Sequence, residues 1–590
     1  MIMRLLRKLL FAVLLTGLFP AAVTAQSVIE LIERDRQAGA ISRTEQAILI
    51  GYSAVAPERL PPKYQNAGFI DHKCGFGKYQ IVREEYNNFS PELQELFKVL
   101  VTRPSMTNSY VSPSGNFRIH YEVTGTNQVP SDDDNSNGIP DYVEEAGEAF
   151  DHSRRILVDT LGFQAPPPDE GVDGSEYDVY VLNMNNYGST SWYPMPGSDT
   201  RQISYIEIEN DYAEDRFSTH GIEGVKVTAA HEYFHAVHVG YIWSSLDIFF
   251  YEWSSTWFED VAYSGIDDYL QYLTTLFKNL TRPVNTRNGW HEYGMCIWHH
   301  FMSRRYGRDI VRKMWERMPD ERALAAIENT IVAETGSTFE IELTAFYQWN
   351  YFTGTRADTE NKYPEGDLYP EVVFGDTINA ENDTTITVDV RYLSGNYVAV
   401  NRQMATTYNV DYSIDPGDVG DIHGSAFLNE GGVYSFLTPF GFTSDVTGEF
   451  SISSSRTNSQ FMLIPVVSAT MSRPGTTTYP ITFNFNFLGP APPDVDILMP
   501  TWPNPADFTR VQEITIPFVL REEDYVEIKI FSTSGRLVKS FEKALYYKGL
   551  NSTLKWDGND NNNRPVPSGV YFYVINSPSL KDMKKMAIIR

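Results

Sequence analysis

A chain of 590 residues exceeds what one compact domain holds, so three or four units of roughly 100–200 residues are expected. A composition of 42% hydrophobic, 21% charged and 14% aromatic residues excludes wholesale disorder and favours β-rich modules. A formal net charge of −28 repels a phosphate backbone and an anionic membrane face, which makes nucleic acid a poor partner and suits cation binding.

The start has the form of an export signal, expected over 1–25. Arg4, Arg7 and Lys8 precede the apolar run Leu9 to Phe19, and Val23-Thr24-Ala25 supplies small residues for cleavage. The apolar run is shorter than the ~20 residues of a bilayer span, and no other stretch qualifies. Residues 26–105 form a helical, turn-rich region of pro-segment character, with Ser90-Pro91-Glu92 as a helix N-cap and first turn.

The next unit, 106–365, is α+β: strands are expected at 117–123, 177–182 and 203–208, a helix at about 142–157, and mostly helices after His231. Residues 366–490 carry short strands rich in Val, Ile, Thr, Tyr and Phe between turn residues, the pattern of a β-sandwich. A Pro-rich linker, Leu488 to Pro493, precedes a last all-β unit at 496–590.

The strongest chemical motif is His231-Glu232-Tyr233-Phe234-His235. In a helix, residues four apart share a face, so His231 and His235 offer two imidazoles to one Zn²⁺ while Glu232 stands beside it as a general base. A third ligand is expected from Tyr251 to Asp260, on a second helix, and Glu252 is the choice. His238 shares the face but lies about 10 Å from His231 along the axis, too far for one ion to meet both.

His231-Glu232-x-x-His235 followed by Glu252 and Glu259 resembles the gluzincin metallopeptidases, a zincin-fold group in which the second motif reads Glu-Gly-x-Ala. That resemblance implies a zinc-dependent peptidase, endopeptidase or aminopeptidase, with Glu252 as third ligand and Glu259 supporting the site from behind. Trp253 stands where the group has glycine. Tyr293 lies downstream where related enzymes carry an oxyanion-stabilising tyrosine or histidine. The segment 117–306 also resembles bacterial surface proteins classed as metallopeptidases.

Asp133 to Glu144 matches a twelve-residue EF-hand-type loop. Asp133, Asn135, Asn137, Asp141 and Glu144, with the Ile139 carbonyl, are the expected Ca²⁺ ligands, and Gly138 sits at the sharp turn. Of the two cysteines, Cys74 lies in the pro-segment region; a disulfide with Cys296 is the expectation, against a thiol that fills the open zinc position.

The C-terminal series Trp502-Pro503-Asn504-Pro505, Val526 to Phe531, Ser534-Gly535, Trp556-Asp557-Gly558 and Pro567 to Tyr573 resembles the sorting domain of the type IX secretion system and related flagellar-hook-cap-like immunoglobulin folds. It implies export across an outer membrane, with the secretion machinery as partner, and its basic end, Lys581 to Arg590, suits a terminal signal or simple solvation. The expected whole is a secreted or surface zinc peptidase acting on protein or peptide, stabilised by Ca²⁺. The alternative is an inactive surface adhesin, binding glycan or protein on the same scaffold.

Overall fold

The structure, a computed structural model, describes residues 28–65, 73–169, 171–198, 200–379, 383–402, 406–414, 422–441, 447–454, 459–469, 478–489, 496–501, 503–547, 549–551 and 553–590. The export signal and Pro490 to Pro493 of the linker lie outside these residues. Helices α1 (Val28–Gln37), α2 (Arg43–Val55) and α3 (Pro91–Phe97) pack with short helical turns around a small core of Ile32, Ile50, Val82 and Phe97. Ser42 starts α2 with a capping box, its hydroxyl accepting from Glu45 N while Glu45 accepts from Ser42 N. Ser90 caps α3 as its Ser-Pro-Glu sequence implies.

A five-stranded sheet follows: β1 (Asn108–Val111), β2 (Phe117–Tyr121), β3 (Tyr177–Leu182), β4 (Gly188–Pro194) and β5 (Gln202–Glu209), in the order β1-β2-β3-β5-β4. Strands β2, β3 and β5 are parallel, while β4 lies antiparallel to β5 at the edge. Helix α4 (Asp141–Arg154) packs near β2 and runs into a π-turn at 155–160. Helix α5 (Gly221–Tyr241) is buried along almost its whole length between the sheet and its neighbours, which is why its sequence is apolar nearly all round. Its antiparallel-sheet neighbour approaches unusually closely: a Cβ on Gly188 of β4 would stand 2.7 Å from Thr228 and 2.9 Å from Glu232. The glycine therefore sets β4 directly against the motif-bearing turn of α5.

After a short connection comes α6 (Ile248–Ala262), equally buried, then α7 (His291–Gly294) and further helices ending in α8 (Phe339–Tyr351). One core joins all of these and includes Trp253, Trp257, Trp298 and Trp315.

Residues 376–489 form two antiparallel-rich sheets. One runs Thr447–Ser454, Thr406–Ile414, Thr478–Gly489, Thr384–Arg391; the other contains Tyr434–Gly441, Ile422–Asn429, Ser459–Val467, Val398–Arg402 and Asp376–Asn379. The second sheet is buried on both faces. Val398, Val400, Phe461 and Leu463 enter the sandwich core, while the alternating Tyr397, Ala399, Met462 and Ile464 join the helical core that includes α8. The expected boundary at 366 is thus a packed seam, because period-two strands with apolar residues on both faces bury both.

The last unit has its own core. Asp524–Ser532 alternates inward and outward, with Val526, Ile528 and Ile530 buried. It pairs with Gly569–Asn576, which pairs with Lys581–Ile589. The basic end is therefore a strand, not a solvated tail: Met586 and Ile588 face the core while Lys581 and Lys585 stay exposed. Among the described residues no helix is long and apolar enough to cross a membrane.

Candidate metal centre

Helix α5 presents His231 and His235 one turn apart, and α6 crosses it to present Glu252 and, two turns on, Glu259. All four side chains are buried. His231 Nε2 lies 3.0 Å from His235 Nε2, and Glu252 Oε2 lies 3.2 and 3.4 Å from the two nitrogens. Glu252 Oε2 has no aligned hydrogen-bond partner, and the two Nε2 atoms meet each other beside it, so three donor atoms converge on one point. A tetrahedral Zn²⁺ with N and O ligands at about 2.0–2.1 Å has ligand–ligand edges of about 3.3 Å. The donor set and its spacing therefore fit zinc.

The far side of each ring is held. His231 Nδ1 meets Glu259 Oε1 at 2.6 Å and His235 Nδ1 meets Ser255 Oγ at 3.2 Å, which fixes each ring with its Nε2 facing the shared point. Glu259 in turn takes Lys73 Nζ at 2.8 Å, and Lys73 also meets Asp268 Oδ2 at 2.5 Å. Burial alone lowers a lysine, but the Asp268 and Glu259 charges outweigh it and hold Lys73 well above its usual range. Burial pushes Asp268 up, yet the Lys73 charge and hydrogen bond leave it below its ordinary value. Burial raises Glu259 to about 8, tempered by Lys73.

Glu232 sits behind the converging atoms. Thr190 Oγ1, on β4, donates to Glu232 Oε2 at 2.8 Å, and Cys74 Sγ donates to Oε1 at 3.1 Å. Burial raises Glu232 to about 8, against the lowering effect of these two hydrogen bonds. His231 is pushed down to about 3 by burial.

Cys74 completes the cluster: its Sγ and the donor atoms of His231, His235 and Glu252 all lie within 4.8 Å of one another. The expected Cys74–Cys296 disulfide is absent. Both thiols are free and buried, Cys74 against Glu232 and Cys296 against the Gly294 carbonyl, 3.7 Å away. Each found a polar partner in a different part of the core.

His238 stands apart from the cluster, stacked on Trp315 at 3.9 Å. Tyr293, on α7, is buried with its ring 6.2 Å from that of His231 and 5.1 Å from that of Tyr272. Lys73, Phe76, Thr190, Ser255 and Asp268 belong to the site but have no motif of their own. Lys73 adjoins Cys74 in sequence, and Ser255 lies within the Tyr251–Asp260 stretch.

The Asp133–Glu144 loop folds on itself in front of α4, with Gly138 at φ +84°. Asp133 accepts from Asn137 N at 3.0 Å and Gly138 N at 2.9 Å, and Asn137 Oδ1 accepts from Ile139 N. The Asn135 and Asn137 amides donate to Glu144 at 2.7 and 2.8 Å, which gathers four of the expected ligand side chains. Asp141 instead turns back to accept from Asp134 N.

Residues 496–589 match the CHU_C type IX secretion signal domain. This is the signal by which the chain is exported across the outer membrane to the surface or beyond. No curated protein matches the chain. Among solved structures, similarity reaches PorZ, an essential bacterial surface component of the type IX secretion system of Porphyromonas gingivalis, at 23% identity over 15% of this chain and 11% of that one, TM-score 0.13. It also reaches dimeric latent PorU from the same organism, at 18% identity over 37% and 19%, TM-score 0.17. The adhesin domain of Epf from Streptococcus pyogenes matches at 8% identity over 35% and 77%, TM-score 0.13. The chain thus spans under a fifth of the length of PorZ and PorU.

Proposed function

We propose that this exported protein is a zinc peptidase of gluzincin type on a zincin-like α+β unit, with His231, His235 and Glu252 as ligands. The observation that carries the reading is the convergence of His231 Nε2, His235 Nε2 and Glu252 Oε2 at 3.0–3.4 Å, each imidazole oriented from behind. These three residues would hold a zinc ion, which would supply Lewis-acid polarisation of a scissile carbonyl and a water of lowered pKa. Glu232, aimed by Thr190, accepts the proton and returns it to the leaving amine. Glu259 keeps His231 in the tautomer whose Nε2 is a ligand, and stabilises the positive charge that coordination places on the ring. Tyr293 is the donor assigned to the developing oxyanion.

Strand β4 ends the sheet beside the cluster, and an outer edge of that kind suits the binding of an extended protein or peptide substrate. The Asp133–Glu144 loop is assigned to a structural Ca²⁺ at the head of α4, whose first turn already carries Asp141 and Glu144.

The test is Glu232→Gln. Zinc content should stay at one ion per chain while hydrolysis of casein falls by at least a thousand-fold; unchanged turnover refutes the general-base assignment.

A further inference from the structure

Residues Lys73–Phe76 lie in the cleft, although they belong to the N-terminal region. They sit along the outer edge of β4 in a parallel bridge between Cys74 and Gly188. Gly75 N donates to Gly188 O at 2.9 Å and Tyr187 N to Lys73 O at 3.1 Å. Gly75 has no room for a side chain: a Cβ there would stand 2.6 Å from Ser189 Oγ and 2.8 Å from Asn186 Nδ2. On one side Lys73 is locked to Glu259 and Asp268. On the other, the Phe76 ring lies flat on His235, 3.8 Å between centroids and 1° between planes, with Trp192, Trp243 and Tyr251 within 5.6 Å.

We infer that Lys73–Phe76 is an autoinhibitory strap seated as a substrate would be, with the Cys74 thiol at the fourth position of the metal and Phe76 filling the pocket for a substrate's aromatic side chain. The inference rests on the zinc reading and specifies how that site is regulated and what it selects. Three features carry it. Sγ shares a sphere of donor atoms with His231, His235 and Glu252. The strap uses the backbone groups of the edge strand that an extended peptide needs. The strap atom in that cluster is the Cys74 thiol, while the Lys73 and Gly75 carbonyls accept from Tyr187 N and Lys78 N. Were a metal held by His231, His235 and Glu252, Cys74 would bind it as the thiolate, its S–H proton passing to Glu232 Oε1, 3.1 Å away. The ligand position and the base are then blocked together.

The aromatic box assigns the substrate class. Trp192, Trp243, Tyr251 and the His235 ring form an apolar slot sized for one ring, so the released enzyme cuts peptides beside Phe, Tyr or Trp.

Cobalt(II), added as the only metal to the purified full-length chain, reads the strap directly. The expected spectrum has a near-ultraviolet thiolate-to-cobalt band together with visible d–d bands, in the wild type and in Cys296→Ser. Cys74→Ser should lose the first and keep the second, and Phe76→Ala and Gly75→Ala should each weaken the thiolate band several-fold. Visible bands with no thiolate band in the wild type, or a thiolate band that survives Cys74→Ser, overturns the strap while leaving the metal centre standing. Failure to bind cobalt at all overturns both. A peptide-library digest with the Cys74→Ser/Phe76→Ala full-length chain, in which the strap holds neither the metal position nor the slot, tests the slot: enrichment of aromatic residues beside the cleaved bond is expected, and a preference for small or charged residues, or no cleavage, overturns that assignment.

Discussion

The buried cleft and the Asp133–Glu144 loop both gather metal-type donors, yet they are built in opposite ways. The loop takes twelve consecutive residues, stays at the surface, and satisfies its side chains with its own backbone. The cleft takes side chains from β4, α5, α6 and the strap, with Cys74 and Glu232 in contact across 158 residues of sequence. A local loop fails locally, whereas a buried cleft couples its ligands to the packing of a whole unit. Variants in the cleft should therefore cost more, and spread further, than variants in the loop.

The largest expected loss comes from Lys73→Met. It leaves Glu259 and Asp268 buried without their cation, and breaking one partner of such a group costs ~3–5 kcal/mol. Denaturant unfolding followed by tryptophan fluorescence reports on this unit, since Trp253, Trp257, Trp298 and Trp315 lie in its core. Adding Asp268→Asn should recover part of the loss. A loss no greater than that of a surface substitution would mean that the cleft is no more coupled than the loop.

Next is Glu259→Gln, which replaces the carboxylate that orients His231 with a neutral amide, a weaker acceptor, but touches no proposed ligand atom. Zinc affinity should fall by about 10–100-fold, measured by competition with a chelator. A fall confined to turnover, with affinity intact, would break the link between the buried support and the ligand set.

How much of this was legible beforehand follows the same division. The i, i+4 histidines, the seven-residue spacing of Glu252 and Glu259 on one helix, and the alternation at Val526, Ile528 and Ile530 are local patterns, and each stands on the element its period implies. The strap is not local. Nothing in Lys73-Cys74-Gly75-Phe76 says that Gly75 will lie against Ser189 or that Lys73 will meet carboxylates 186 and 195 residues away. Counting cysteines suggested a disulfide because two were present, but pairing is decided by which surfaces meet, and Cys74 meets Glu232. The packing of residues 376–489 against the helices is not legible for a related reason: a strand apolar on both faces looks the same in sequence whichever neighbour covers its second face.

Acid should act on the buried unit before the loop. Burial holds His299 at about 3, with its Nε2 near Ser254 Oγ at 3.1 Å. A histidine whose folded pKa lies below its unfolded value of about 6.5 binds more protons when unfolded, so stability is complete above pH 6.5 and declines as pH falls towards 3. At pH 5 the loss is on the order of 2 kcal/mol for this one residue. His299→Gln should flatten the dependence of unfolding on pH between 7 and 5, while a slope as steep as that of the wild type would place the acid sensitivity elsewhere.

The smallest effect belongs to the loop, and its size follows from binding linkage. At free calcium ten times Kd, occupancy adds about 1.4 kcal/mol to the folded state. Glu144 is the acceptor of both Asn135 and Asn137 amides, so Glu144→Gln replaces the charge that would face a divalent ion and should abolish the calcium-dependent part of the melting temperature. The metal-free baseline should barely move, because the turn is still held by Asp133 and Asn137 through backbone hydrogen bonds. Calcium, and not zinc, should restore the chelated wild type. If zinc alone restores it, the stabilising ion is the one in the cleft, and the loop is a folded acidic turn whose order needs no ion.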